Sequence, residues 1–227
     1  MDEYPSVVTL GEISSENSLQ TMAEYTQGDK RLHMAYSFEL LTPDGSPSYI
    51  RNTVEALEDQ LSDGWPCWAI GNHDVARVAS RWNHSGQYEK NTVAQNKMYN
   101  ALLASLRGSV CCYQGEELGL AEADIAFDDL QDPYGVNFWP TFKGRDGCRT
   151  PMPWGKNSSN AGFSTSKLPW LPVSDAHRNN SVDVQENDDN SVLIAYRTFL
   201  NWRKTQPCLL YGDIEFIESN QLLSTYG

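Results

Sequence analysis

Three of the four short apolar segments in the chain are followed by charged or polar residues. The first leads to Glu12, the third to His73 and Asp74, and the fourth to Gln114 and Glu116. If these segments are parallel strands, their carboxyl ends meet at one edge and bring Glu12 and Asp74 to one cavity. Two such carboxyl groups have pKa values pushed apart, so one acts as an acid while the other stays ionised, which is the layout that cleaves glycosidic bonds. The residue types leave two alternatives open: Glu12 as a solvated group near a helix N-terminus, and His73 as a hydrogen-bonded core histidine.

The elements that must position these residues follow from the hydrophobic pattern. Apolar runs at residues 7–10, 34–38, 68–70 and 110–113 predict buried strands. Residues 49–63, 88–107 and 191–204 predict amphipathic helices. In the first of these helices the predicted buried face is Ile50, Val54, Leu57 and Leu61, and in the second it is Ala94, Met98, Leu102 and Leu106. Strands alternating with helices predict a parallel α/β sheet, either doubly wound or a barrel.

The stretch 117–190 interrupts this alternation and is rich in Gly, Pro, Asn, Asp and Ser. It also carries aromatic residues, which disordered segments lack, so we expect an ordered loop that packs on the domain.

Composition excludes several classes of partner. The chain has 17 Lys and Arg against 30 Asp and Glu, a net charge of −13, which opposes binding to nucleic acid or to an anionic membrane. No run approaches the roughly 18 apolar residues of a spanning helix, and the N-terminus is acidic, so we expect a cytoplasmic protein. The five cysteines show no C-x-x-C spacing, so we expect neither a disulfide framework nor a zinc site, and no metal or cofactor.

Four motifs, in order along the chain, resemble those of the α-amylase family of glycoside hydrolases. Residues 69–77 (AIGNHDVAR) resemble its fourth signature region, where Asn-His-Asp follows the seventh strand of a TIM barrel. Residues 8–12 (VTLGE) resemble the region after the fifth strand, and residues 113–119 (YQGEELG) the region at the eighth. Residues 144–154 (GRDGCRTPMPW) resemble a loop of the α-glucosidase and oligo-1,6-glucosidase branch.

The resemblance implies a retaining α-glucosidase that acts on a small oligosaccharide or disaccharide from its non-reducing end. Glu12 would be the general acid and then the general base, and Asp74 would stabilise the oxocarbenium-like transition state. His73 would bind hydroxyls of the sugar that is cleaved. Arg145 would fix the terminal glucose, with Arg149 as the nearby alternative, whose other interpretation is packing of the loop. We expect Gln114 and Glu116 to make structural hydrogen bonds.

The same resemblance implies that the chain is the second half of a (β/α)8 TIM barrel, strands 5 to 8. Residues 1–210 would form this half, including the loop 117–190, and residues 211–227 would begin a C-terminal β-domain. The family's nucleophilic aspartate belongs to the strand before the one that bears Glu12, so we expect a fragment without it, inactive alone, that self-associates or needs the missing half. Two alternatives stay open: a glycosyl transferase or isomerase of the sucrose isomerase or trehalose synthase type, and a non-catalytic binding or scaffold relative.

Overall fold

The strands form a parallel sheet whose order follows the chain. A computed structural model describes residues 6–28, 31–61, 63–83 and 92–217. The strands are β1 (Leu10–Ile13), β2 (Met34–Ser37), β3 (Cys67–Trp68) and β4 (Ser109–Val110). β1 pairs with β2 and β3 pairs with β4, both in parallel, and a parallel bridge between Ala35 and Pro66 joins the two pairs. The predicted α/β class with parallel strands is therefore present.

Helices separate the strands and cover one face of the sheet. They are α1 (Ser18–Thr26), α2 (Pro47–Gln60), α3 (Val78–Arg81), α4 (Val93–Ser105), α5 (Pro133–Phe138), α6 (Asp175–Asn179), α7 (Val182–Glu186), α8 (Val192–Arg203) and α9 (Pro207–Tyr211). The main core lies between this layer and the sheet, and it includes Met22 from α1, Leu57 from α2 and Leu103 from α4. Within the described residues, no helix is long and apolar enough to cross a membrane.

Local sequence explains where the longer helices begin. Ser46 accepts a hydrogen bond from the Tyr49 N–H at the start of α2, where Pro47 occupies the first turn. Thr92 and Gln95 form a capping box at the start of α4. Ser191 accepts from the Ile194 N–H at the start of α8. Side-chain acceptors at these positions satisfy main-chain donors that the first helical turn leaves unpaired.

The prediction for α2 is confirmed, and the predicted buried face of α4 is confirmed only in part. Ile50, Val54, Leu57 and Leu61 are all buried. In the second helix Leu106 is buried and Leu102 packs against the core, but Ala94 and Met98 are exposed. The buried side chains of α4 instead include Asn96, Tyr99, Asn100 and Leu103. The two asparagines are buried because they donate to the main-chain oxygens of Gly119 and Glu116. The predicted start of this helix at residues 88–91 lies outside the described residues.

The strand boundaries differ from those predicted, most importantly at β1. We predicted a buried strand ending at Leu10, whereas β1 begins there, runs to Ile13 and has exposed residues, with Leu10 47% exposed. Pairing with β2 continues through Ile13, opposite Ser37, so Glu12 lies inside the strand rather than after it. The other strands are shorter than predicted, since main-chain pairing stops before residues 38, 70 and 113.

The stretch 117–190 is folded through short helices and buried turns, as expected for an ordered loop. Leu118, Leu120 and Met152 form one small core, and Ile125, Leu130 and Leu171 form another. The chain from 212 to 217 contains no strand, and residues 218–227 of the predicted β-domain lie outside the described residues.

Candidate active site

Glu12 and Asp74 are joined through one asparagine at the edge of the sheet. The Asn72 side-chain amide donates to Oε1 of Glu12 at 3.4 Å, and its Oδ1 accepts from the Asp74 main-chain N–H at 2.9 Å. Asn72 is itself buried, so its two contacts fix the turn that carries Asp74 relative to β1. The structure therefore connects the Glu12 carboxylate to the main chain of Asp74 through Asn72.

Tyr36 lies beside Glu12 on the neighbouring strand. The two residues are direct partners in the β1–β2 register. Burial raises the pKa of Tyr36 above its ordinary value, and the nearby Glu12 carboxyl raises it further. The tyrosine hydroxyl therefore stays protonated beside Glu12.

Two arginines from the long loop hold one oxygen of Asp74. Oδ1 accepts from Nη1 of Arg145 at 2.8 Å and from Nη2 of Arg149 at 3.0 Å. Oδ2 lies 3.6 Å from Nε2 of His73. Arg149 also donates from Nε to the main-chain oxygen of His73 at 2.7 Å, so the loop binds both the main chain of His73 and the carboxylate of Asp74. The His73 side chain is 54% exposed, which contradicts the core-histidine alternative.

Arg145 is itself anchored by Asp132, which precedes α5. Oδ2 of Asp132 accepts from the main-chain N–H of Arg145 at 2.8 Å and from its Nε at 2.9 Å, and Oδ1 accepts from Nη2 at 3.1 Å. The Tyr134 ring covers the guanidinium, with 5.2 Å between the ring centroid and Cζ. Hydrogen bonds from Arg145 hold the pKa of Asp132 well below its usual range, so this carboxylate stays ionised.

A buried arginine supports the same turn from the other side. Arg77 is 3% exposed and donates from Nη1 to the main-chain oxygen of Gln114 at 2.7 Å. Its main-chain N–H donates to Glu122 at 2.8 Å, and Gln114 in turn donates to the oxygen of Thr150. These contacts tie the turn after β3 to the loop after β4. They match the structural role that we expected for Gln114.

The sequence did not single out Tyr36, Asn72 or Asp132 as parts of the site. Asn72 could have been found because it directly precedes His73 in the motif. Asp132 could have been found because Asp before Pro is typical of a helix start. Tyr36 is recognisable only from the β1–β2 register. Within the described residues, no cluster of three or more His, Cys, Asp or Glu side chains could hold a metal ion.

Comparison with known families assigns the chain. Residues 1–212 match the catalytic domain of alpha amylase. The chain belongs to the alpha-amylase family. Relatives in it are named alpha-glucosidase and oligo-1,6-glucosidase, so the resemblance carried by the four motifs is confirmed at the level of the family.

Individual relatives in the alpha-amylase family include both hydrolases and transfer enzymes. A probable alpha-glucosidase of Rhizobium meliloti (strain 1021) is 49% identical over 221 residues, which are 96% of this chain and 39% of the relative. The crystal structure of the alpha-glucosyl transfer enzyme XgtA is 58% identical with a TM-score of 0.88, covering 97% of this chain and 40% of that one. A trehalulose synthase from Pseudomonas mesoacidophila MX-45 is 26% identical with a TM-score of 0.77, over 93% and 43% of the two chains. The chain thus spans about two fifths of the length of these relatives.

Proposed function

We propose that this chain carries the acid/base part of a retaining α-glucosidase that removes glucosyl units from the non-reducing end of short α-glucosides. The observation that carries the proposal is the Asn72 bridge, which fixes Glu12 and Asp74 relative to each other at the edge of the parallel sheet. A lone carboxylate at a strand end is common, whereas here a buried asparagine bonds both the Glu12 carboxylate and the main chain that carries Asp74, which preorganises their relative position.

In this proposal Glu12 protonates the glycosidic oxygen and later activates the acceptor water. Its exposed position on β1 leaves it open to a substrate, and the Tyr36 hydroxyl and the Asn72 amide orient its carboxyl group. Asp74 faces the developing positive charge on the sugar ring. Its Oδ1 is occupied by the two arginines, which leaves Oδ2, beside His73, for the sugar hydroxyls.

Arg145 and Arg149 have separate parts in the proposed site. Arg145 is held by Asp132 along one edge of its guanidinium and presents the other edge to Asp74, so it is placed to close the pocket around the terminal glucose. Arg149 binds the main chain of His73 as well as Asp74, which supports the packing interpretation of this residue. We therefore assign the sugar contact to Arg145 and a supporting contact to Arg149.

We also propose that β1 to β4 are strands 5 to 8 of a (β/α)8 barrel, and that the nucleophilic carboxylate comes from the strand that pairs with the free edge of β1. The exposed apolar residues Val7, Val8 and Leu10 along that edge, 47% to 65% accessible, support a missing neighbour. At the opposite edge, a cavity of about 830 Å³ lies between β4 and α8. We refer below to these residues together with the remainder of the barrel as the complete enzyme, whose substrates are small saccharides.

A second candidate is glucosyl transfer, in which a sugar hydroxyl replaces water. The observation that favours it is the 58% identity to a transfer enzyme, which exceeds the 49% identity to a probable alpha-glucosidase. Both activities use the same first step, since a retaining enzyme forms the glucosyl intermediate before the acceptor arrives.

The test is single-turnover kinetics of the complete enzyme on aryl α-glucosides with a series of leaving groups. Glu12→Gln should cost several orders of magnitude with poor leaving groups and much less with nitrophenol, because only the former need a proton. Asp74→Asn should slow all of them, because ring charge is common to every member. Equal losses for Glu12→Gln across the series would refute the acid assignment, and a complete enzyme with no activity on any glucoside would favour the scaffold alternative.

The proposed half barrel has its own test in the chain alone. Two unpaired edges favour self-association or pairing with the missing half, and without the nucleophile the chain should not hydrolyse a nitrophenyl α-glucoside. Size-exclusion chromatography and thermal melting report the first expectation. A monomer that melts cooperatively above about 60 °C would contradict it.

A further inference from the structure

Glu116 is a buried carboxyl group that the proposed chemistry does not use. It is 5% exposed and begins a short 3₁₀ turn, Glu116–Leu118, directly after Gly115, whose φ of +93° suits glycine. Oε2 accepts a hydrogen bond from the Tyr113 main-chain N–H at 3.0 Å. Oε1 has no hydrogen-bond partner in the described part of the chain, although it is fully buried. A buried oxygen without a partner costs stability, so this position needs an explanation.

The unpartnered oxygen is pressed against the turn that carries the candidate site. A methyl group on Gly71 would collide with Oε1 of Glu116, and Gly71 has an ordinary backbone conformation, so the need for glycine there is one of space. Gly71 directly precedes Asn72, the bridge between Glu12 and Asp74. The Glu116 carboxyl thus lies one residue from the asparagine that bonds Glu12 and the main chain of Asp74.

We propose that Glu116 is a positioning residue: its carboxyl group packs against Gly71 and so fixes the orientation of Asn72 and Asp74 during the reaction. This inference rests on the proposed function, because it assigns Glu116 a role through Asp74. A second contact fixes the support itself: the Asn100 amide on α4 donates to the Glu116 main-chain oxygen at 3.1 Å. Helix α4, which packs in the main core, is thereby connected through Glu116 to the turn that carries Asp74.

The charge state of Glu116 agrees with this role. Burial raises its pKa to about 7, against the lowering effects of the Tyr113 N–H and of Arg81. The other titratable or charged groups that act on it are Arg77, Glu117, Cys112 and Tyr196. A pKa of about 7 leaves a large neutral fraction at neutral pH, so glutamine, which has the same shape, is the conservative substitute.

The decisive experiment is a double-mutant cycle between residues 116 and 74 in the complete enzyme, with rates normalised to titrated active sites. Glu116→Ala should lower kcat on a nitrophenyl α-glucoside about 10- to 100-fold with little change in KM, because it misplaces Asp74. In the Asp74→Asn background the same change should cost less than about 3-fold. Glu116→Gln should retain most of the activity, and the matched change Glu117→Gln on the neighbouring carboxylate should be neutral. Equal losses from Glu116→Ala in both backgrounds would overturn the inference.

A compensating substitution tests the contact itself. Gly71→Ala alone should lower activity, because its methyl group meets the Glu116 carboxyl, whereas Gly71→Ala with Glu116→Ala should recover part of the loss, because the next contact, Tyr113 Cβ at 3.7 Å, leaves room. No recovery would overturn the proposed contact. If Asp74→Asn itself had no effect, the proposed function would fail, which the cycle separates from a failure of the inference.

Discussion

Asp132→Asn should destabilise the complete enzyme far more than a comparable change in a surface ion pair. The Asp132 side chain is 0% exposed and Arg145 is 28% exposed, and the two are joined through Nε at 2.9 Å. Oδ1 also accepts the Tyr134 main-chain N–H at 3.2 Å, which caps α5. Asparagine keeps one acceptor but turns an N–H group toward the guanidinium. The substitution therefore removes the negative charge and one of the two side-chain hydrogen bonds from Arg145.

The magnitude follows from burial. At about 3 Å and an effective dielectric of about 20, the gross attraction between the two charges is about 6 kcal/mol. Desolvation offsets most of it, and loss of one partner of a fully buried pair costs about 3–5 kcal/mol. Because Arg145 is more than a quarter exposed, water compensates part of the loss, and we expect about 2–3 kcal/mol.

The assay is urea unfolding of the complete enzyme at pH 7, followed by tryptophan fluorescence. The matched control is Asp124→Asn, which breaks a pair with Lys143 whose side chains are 78% and 53% exposed. This control should cost less than about 1 kcal/mol. If the losses in free energy of unfolding of the two variants differed by less than about 0.5 kcal/mol, Asp132 would not be the residue that holds Arg145 in place.

Three further outcomes follow from other buried groups. Burial lowers the pKa of His177 from 6.5 to about 4, so its contribution to the free energy of unfolding is complete above pH 6.5 and is lost as the pH falls toward 4. The loss over this range is about 3 kcal/mol, and His177→Gln should flatten that part of a stability-against-pH curve. Arg203 on α8 donates to three main-chain carbonyls of the segment that leads into β4, so Arg203→Met should cost about 3 kcal/mol in urea unfolding, whereas Arg197→Met at the surface should leave the unfolding midpoint almost unchanged. Tyr36→Phe should lower kcat/KM about 10-fold on alkyl glucosides and less on nitrophenyl glucosides, and an equal loss on both would contradict its action through Glu12.

Local patterns predicted the elements better than their boundaries. The apolar spacing of α2 placed its buried face correctly, because packing on the sheet is what that spacing reflects. The spacing in α4 predicted Leu102 and Leu106 correctly but not Ala94 and Met98, because two buried asparagines that bond to main-chain oxygens occupy the face next to Tyr99 and Leu103. A hydrophobic pattern contains no information about a polar residue whose partner lies some 20 positions away in the sequence.

The candidate site shows the same division. The Asn-His-Asp turn and Glu12 were recognisable from residues that stand close together in the sequence. The contacts that hold Asp74 were not recognisable from the sequence. They join Asp74 to Arg145 and Arg145 to Asp132, which meet only after the long loop folds back over the sheet. Asp74 itself is placed by contacts from 71 and 75 residues further along the chain, which no local window contains.

In the proposed function, Glu12 would act on the glycosidic oxygen and Asp74 on the ring charge. Both would then be needed whether water or a sugar attacks the intermediate. Asn72 contacts the Glu12 carboxylate, and the two arginines contact the Asp74 carboxylate. A relative that transfers glucose and a relative that hydrolyses it can therefore share this half of the fold with 58% and 49% identity to the chain. Because hydrolysis and transfer differ only after the intermediate forms, we expect the residues that decide between them to contact the acceptor, beside the Glu12 carboxylate that would activate it.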